Sequence, residues 1–99
     1  MFGELEIFLK EIDRSSKAFE EKHFEKLLVA AYYLGGKNVK PVKLEQIQEN
    51  IKMSEEEILR VADKAFKKGY IKDSDPLDKN NNEWKMTPQG RKYVENLLD

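Results

Sequence analysis

Ser54-Glu55-Glu56-Glu57-Ile58-Leu59-Arg60-Val61-Ala62-Asp63-Lys64-Ala65-Phe66-Lys67-Lys68-Gly69-Tyr70-Ile71 opens as a helix, stops at a glycine and passes straight into an extended segment. Ser54 is placed to accept from the Glu57 amide while the Glu57 carboxylate reaches back, a capping box. The three glutamates also suit the positive end of the helix dipole. Ile58, Val61, Ala62 and Ala65 share one helical stripe, with Leu59 and Phe66 along its edge. Gly69 closes the helix. Beyond it, Tyr70-Ile71-Lys72-Asp73 and Glu83-Trp84-Lys85-Met86 read as extended, the second alternating with Trp84 and Met86 on one face. Ser74 to Asn82, which holds Asp75-Pro76 and the run Asn80-Asn81-Asn82, is the turn-rich loop between them. A helix over about 54–69 is therefore followed by a hairpin over about 70–87.

Working outward toward the N-terminus, Leu44, Ile47 and Ile51 mark a short helix, and Lys52-Met53 the turn after it. Val39-Lys40-Pro41-Val42 before it is extended, because proline excludes helix and restricts the residue preceding it. Phe19, Phe24, Leu27, Leu28, Ala31 and Leu34 give a longer helix, expected to start from a Ser16 cap and to end at Gly35-Gly36 in the left-handed conformation. Phe2, Leu5, Phe8, Leu9 and Ile12 predict one more helix ahead of it. At the other end, Thr87-Pro88 is a cap followed by proline at the first helical position, and Tyr93, Val94, Leu97 and Leu98 supply the apolar side of the last helix. The order predicts one mainly α domain over residues 1–99 with a small antiparallel β-wing. Trp84 and Met86 are expected to pack the sheet onto the helices. Of Tyr32-Tyr33, one ring should point inward and the other stay partly exposed.

Composition narrows the function classes. The chain has 99 residues, 18 basic and 19 acidic, with a net charge of -1 and no cysteine. No disulfide, thiol nucleophile or cysteine–zinc site is available. The longest apolar run, Leu27 to Leu34, falls far short of the roughly 20 residues a bilayer span needs. The acidic N-terminus lacks a signal-peptide pattern, so a cytoplasmic protein with no membrane partner is expected. His23 reads as a surface histidine with no metal-ligand neighbours. The carboxylate pairs Glu4/Glu6 and Glu20/Glu21 lie in charge-mixed stretches that suggest no catalytic cleft. No phosphate-cradling glycine loop is present. An enzyme is not expected, and no metal or cofactor is implied.

Three stretches carry a resemblance. Pro41 to Ile51 looks like the strand and first helix of a helix-turn-helix; Ser54 to Ile71 like a recognition helix entering a wing; and Met86-Thr87-Pro88-Gln89-Gly90-Arg91-Lys92-Tyr93-Val94 like the end of a wing and the start of the last helix. Together residues 24–98 resemble the winged helix-turn-helix domains of MarR- and PadR-type regulators and small archaeal relatives. The resemblance implies double-stranded DNA binding by a small transcriptional regulator, with the second helix of the motif in the major groove and the wing on the backbone. Carried across, Glu55, Glu56, Arg60, Asp63, Lys64 and Lys67 face the groove. Arg60, Lys64 and Lys67 would reach into it. Lys43, Lys79 and Lys85 would hold phosphates, and the wing tip is Asp75 to Asn82.

Charge supplies the rival expectation. Glu55 and Glu56 stand where the family usually presents neutral or basic side chains, and Lys72, Lys79 and Lys85 of the wing are outnumbered by Asp73, Asp75, Asp78 and Glu83. A winged-helix module that docks on a protein through an acidic helix and wing fits those residues. A solvated face fits them too, since Glu56–Arg60 and Asp63–Lys67 are acid-first pairs at i, i+4. The N-terminal helix over about 1–15 adds an apolar face that should not stay wet. Folding back on its own domain would cover it, but homodimerisation, together with the last helix through Val94, Leu97 and Leu98, is the favoured expectation.

Overall fold

Leu27, Leu28, Val29, Ala30, Ala31 and Tyr32 are consecutive and all buried, which no helix at the surface of a domain can manage. They belong to α2 (Phe19–Leu34), and the rest of the chain wraps around it. The computed structural model describes residues 2–35, 40–73 and 83–98. Within them run α1 (Phe2–Arg14), α2, β1 (Val42–Lys43), α3 (Leu44–Asn50), α4 (Glu55–Lys67), β2 (Ile71–Asp73), β3 (Glu83–Met86) and α5 (Pro88–Leu98). All four other helices, and β3, pack against α2. The domain is mainly helical with a small antiparallel sheet at one side, a helix-turn-helix followed by a β-wing with an extra helix in front.

The strands align in the order β1-β3-β2. Ile71 pairs with Met86, Lys72 with Lys85 and Asp73 with Trp84, while on the other edge Val42 pairs with Trp84 and Lys43 with Glu83. Because strand side chains alternate, Val42, Ile71, Trp84 and Met86 fall on the inner face and are buried. Trp84 and Met86 thus pack the sheet inward, as their alternation predicts. Each such side chain taken out of water contributes about 1.5–3 kcal/mol.

Glycine and threonine fix the joint between the wing and α5. Gly69 has φ +78°, the left-handed turn that ends α4. Thr87 Oγ1 donates to the Gly69 carbonyl at 2.5 Å and accepts from the Gly90 amide at 3.0 Å. Tyr70, Tyr93 and Phe24 cluster beside this joint, with ring centroids 4.7 Å apart for Tyr70–Tyr93 and 6.0 Å for Phe24–Tyr93.

Several local expectations change. Of the Gly35-Gly36 pair, Gly35 is right-handed (φ -79°, ψ -2°), not left-handed, and Gly36 lies outside the described residues. Glycine is needed there for room, since a Cβ would lie 2.7 Å from the Lys40 carbonyl oxygen and 2.9 Å from that of Ala31. Ser16 does not cap α2; Ala18 holds that position with no side-chain bond. Ser15, one residue earlier, donates to the Ile12 carbonyl at 2.7 Å and so closes α1. The apolar face of α1 is covered by its own chain: Leu5 is buried, and Phe8, Leu9 and Ile12 pack on the core. Phe8 stacks on Tyr33 at 6.0 Å, the half-exposed ring of the pair whose partner Tyr32 is buried. Among the described residues, no helix is long and apolar enough to cross a membrane.

Candidate nucleic-acid interface

The turn between α3 and α4 is built from short-range bonds. The Ile51 amide returns to the Ile47 carbonyl at 2.9 Å, and Ser54 Oγ then accepts from the Glu57 amide at 3.2 Å. The reciprocal half of the expected capping box is not seen, and the Glu57 carboxylate turns instead toward α2, where Oε2 lies 3.2 Å from His23 Nδ1 without hydrogen-bond geometry. His23 is half-buried, not the fully exposed residue expected: its side chain is 18% exposed and lies beside the exposed Phe19 ring, centroids 6.1 Å apart, against the first turn of α4.

With Ile58, Val61, Ala62 and Ala65 buried, the opposite side of α4 is open to solvent. Arg60, Asp63, Lys64 and Lys67, four of the predicted DNA-facing residues, come together there. With Lys68 of the closing turn and Glu20 of α2 they line a cleft of about 380 Å³. Lys67 Nζ pairs with Asp63 Oδ2 at 3.0 Å, whereas among the described residues the expected Glu56–Arg60 pair is not formed, and Arg60 shares the cleft with the carboxylates of Glu20 and Asp63. Lys64 Nζ stands 5.3 Å over the Phe24 ring, a cation–π contact that holds its stem down. Charge is graded along the helix: Glu55, Glu56 and Glu57 in the first turn, Lys64 and Lys67 in the last. That grading matches the helix dipole, and it concentrates the cations in the half that adjoins the wing.

Lys43 and Lys85 are not in this cleft. Both lie on the outer face of the sheet, where Lys85 stands directly across from Lys72. Like charges facing each other across a ladder repel, so this pair is suited to share an anion. Lys43 is on the far strand from α4, two strand spacings or about 10 Å beyond β2, and faces Glu83. Lys79 and the wing tip Asp75 to Asn82 lie outside the described residues.

Sequence reasoning passed over Lys68 and Lys72. The Lys67-Lys68 doublet hints at the first. The second becomes visible only when burial of Ile71 and Met86 sets the register that puts Lys72 opposite Lys85. A second feature of α4 was seen but not weighed. Leu59 and Phe66 remain 37% and 49% exposed. They edge an apolar cleft of about 250 Å³ that reaches Trp84 and is rimmed by Asp63 and Asp73. Among the described residues, no group of three or more His, Asp and Glu is placed to hold a metal ion.

Comparison of the chain with family models, with curated proteins and with solved structures finds no match in any of the three.

Proposed function

We propose that this chain is a cytoplasmic double-stranded DNA-binding protein, a small transcriptional regulator and not a catalyst, with α4 as its reading helix. One observation carries the reading: Arg60, Lys64, Lys67 and Lys68 line a single solvent-facing cleft on the helix that leads into the wing. An α-helix fits the major groove of B-DNA, and a row of cations along its flank lies where phosphates run. The guanidinium of Arg60, in no ion pair among the described residues, is the group suited to a bidentate contact with a guanine edge. Lys72 and Lys85 on the wing are placed as a further phosphate clamp, with Lys43 a more distant contact. Pairing of two copies through α1 and α5 belongs to the proposal, since a two-fold dimer presents two reading helices to half-sites one DNA turn apart. Ile7, exposed on α1, is an apolar residue there that, among the described residues, the chain's own core leaves uncovered.

A fluorescence-anisotropy titration with a random duplex at several salt concentrations tests this. Binding should weaken with a log–log slope of about -0.9 per phosphate contacted. Absence of binding at low salt would overturn the proposal.

A second reading, docking on a protein, is favoured by the apolar cleft beside Trp84. Exposed Leu59 and Phe66 rimmed by Asp63 and Asp73 suit a partner with an apolar anchor flanked by basic residues.

A further inference from the structure

Glu25 is a carboxylate in the wrong place for a structural residue. It sits in the middle of α2, among the helix's buried side chains, and its own side chain is only 8% exposed. Its partner is Lys17, whose Nζ lies 2.6 Å from Oε2 and whose side chain is 40% exposed. Lys17 comes from the short connection between α1 and α2, not from a packed helix. A buried carboxylate must be matched by a cation, but here the cation is held loosely from the solvent side.

Beside this ion pair is a cleft of about 160 Å³ between α1, α2 and α5. Phe8, Ile12, Val29, Leu97 and Leu98 form its apolar walls, and Glu11 adds a second carboxylate beside Glu25 and Lys17, while a neighbouring cleft on the α4 side of the pair adds Glu21, Lys64 and Lys68. Space of this size accommodates a benzene-sized body. The Lys17 stem runs to Glu25 without filling it.

From this arrangement we propose that the cleft binds a small organic cation, a primary ammonium on an aliphatic or aromatic body. The ammonium would replace Lys17 on Glu25, and the body would cover the walls that Lys17 leaves open. Lys17 is in effect a tethered occupant: it shows that the carboxylate accepts one hydrogen bond from an ammonium, at 2.6 Å. A free amine gains the same charge-assisted bond together with apolar burial. A carboxylic acid of the same shape would meet Glu25 and Glu11 as like charges, and an alcohol would leave Glu25 with Lys17. The proposal does not rest on the DNA-binding reading, although Lys64 and Lys68 of α4 adjoin the same ion pair.

The test is a ¹H–¹⁵N NMR titration of the full chain with n-hexylamine hydrochloride at neutral pH, with sodium hexanoate and 1-hexanol as controls. The expected result is saturable shifts centred on Phe8, Ile12, Val29 and Leu97 for the amine and none for hexanoate. Glu25→Gln, which keeps the shape and removes the charge, should weaken amine binding at least about tenfold, the scale of a charge-assisted bond. Lys17→Met removes the competitor and should tighten it several-fold. The proposal fails if neither the wild type nor Lys17→Met gives saturable shifts. It also fails if Lys17→Met binds no more tightly, or if hexanol binds as well as the amine. Should Glu25→Gln not give a folded spectrum, the Lys17→Met ratio and the hexanol control decide by themselves.

Discussion

Gly90 of α5 rests directly on the backbone of Tyr70: a Cβ at position 90 would fall 2.0 Å from the Tyr70 carbonyl oxygen and 2.9 Å from its carbonyl carbon. The same oxygen accepts a hydrogen bond from the Thr87 amide at 3.0 Å, so neither partner can step aside without loss. Gly90→Ala should therefore lift α5 from the wing and destabilise the domain by about 2–3 kcal/mol, the upper range for overpacking. The check is the urea midpoint at unchanged slope. Gly3→Ala is the control, since its Cβ would meet nothing within 4 Å and alanine is the better helix former by up to ~1 kcal/mol. Equal midpoints for the two variants would contradict the close approach.

Thr87 is expected to matter for both of its bonds. Thr87→Val keeps the shape but removes the donor to Gly69 and the acceptor for the Gly90 amide. A lost helix cap costs about 0.5–2 kcal/mol, and the part-buried Gly69 carbonyl left unpaired adds to it. Thr87→Ser keeps both bonds and should lose well under half as much. Thermal denaturation reads the difference, at about 4–8 °C per kcal/mol for a domain of this size. A serine variant as unstable as the valine one would show that methyl packing, not hydrogen bonding, holds the joint.

Stability should fall in alkali. Burial raises the phenol pKa of Tyr32, Tyr33 and Tyr93 above the ordinary value of 10.0. For Tyr32 the hydrogen bond it donates to Glu95 at 3.1 Å adds to the effect, and for Tyr93 the charge of Glu25 does. Above the unfolded pKa the unfolded chain releases protons that the folded one keeps. The stabilisation is thus complete below about pH 10 and is lost as pH rises through the folded values. Urea midpoints measured from pH 8 to 11 should be flat and then decline, and Tyr32→Phe should make the decline shallower. A midpoint unchanged up to pH 11 would contradict the burial of these phenols.

What the sequence made legible follows from the range of each interaction. The Ser54 cap, the Ile58–Val61–Ala62–Ala65 stripe, the alternation of Trp84 and Met86, and Pro88 at the start of α5 are local, and each is found where its spacing puts it. Glu57 shows the limit. Its position three residues after Ser54 says capping box, but the carboxylate turns toward a histidine thirty-odd residues earlier in the chain. Gly35 and Gly90 look alike in sequence to any helix-stop or helix-start glycine; only the fold reveals that they clear room for Lys40 and Tyr70. Glu25 is hidden for a similar reason. A charged residue between Phe24 and Leu27 resembles the polar side of an amphipathic helix, until α1 and α5 are seen to cover that side as well. At the candidate site, Arg60, Asp63, Lys64 and Lys67 share a face by helical periodicity alone. The separation of Lys43 and Lys85 from them depends on strand order, which no single segment encodes.

The two faces of α4 allow its function to be decided by paired substitutions. If the cationic cleft lies on DNA, Arg60→Ala, Lys64→Ala and Lys67→Ala should each weaken binding to all sequences or to one base step, and each lost phosphate contact should reduce the salt slope by about 1. Arg60→Glu and Lys64→Glu should abolish binding, because each places a carboxylate against phosphate. Glu56→Gln should leave affinity intact or raise it, since it removes a like charge from the same helix. Leu59→Ala and Phe66→Ala, which alter only the flank toward Trp84, should leave the salt slope unchanged. If α4 instead docks a protein, the pattern inverts: truncating Leu59 or Phe66 removes the apolar anchor while charge reversal at Lys64 has no DNA affinity to alter. The charged positions are solvent-facing, so their effect on folding should stay within about 0.5 kcal/mol. Leu59 and Phe66 are only 37% and 49% exposed, so their alanine variants are checked for folding by the urea midpoint. A change in binding can then be assigned to the surface itself, and anisotropy on the eight variants separates the cationic cleft from the apolar one.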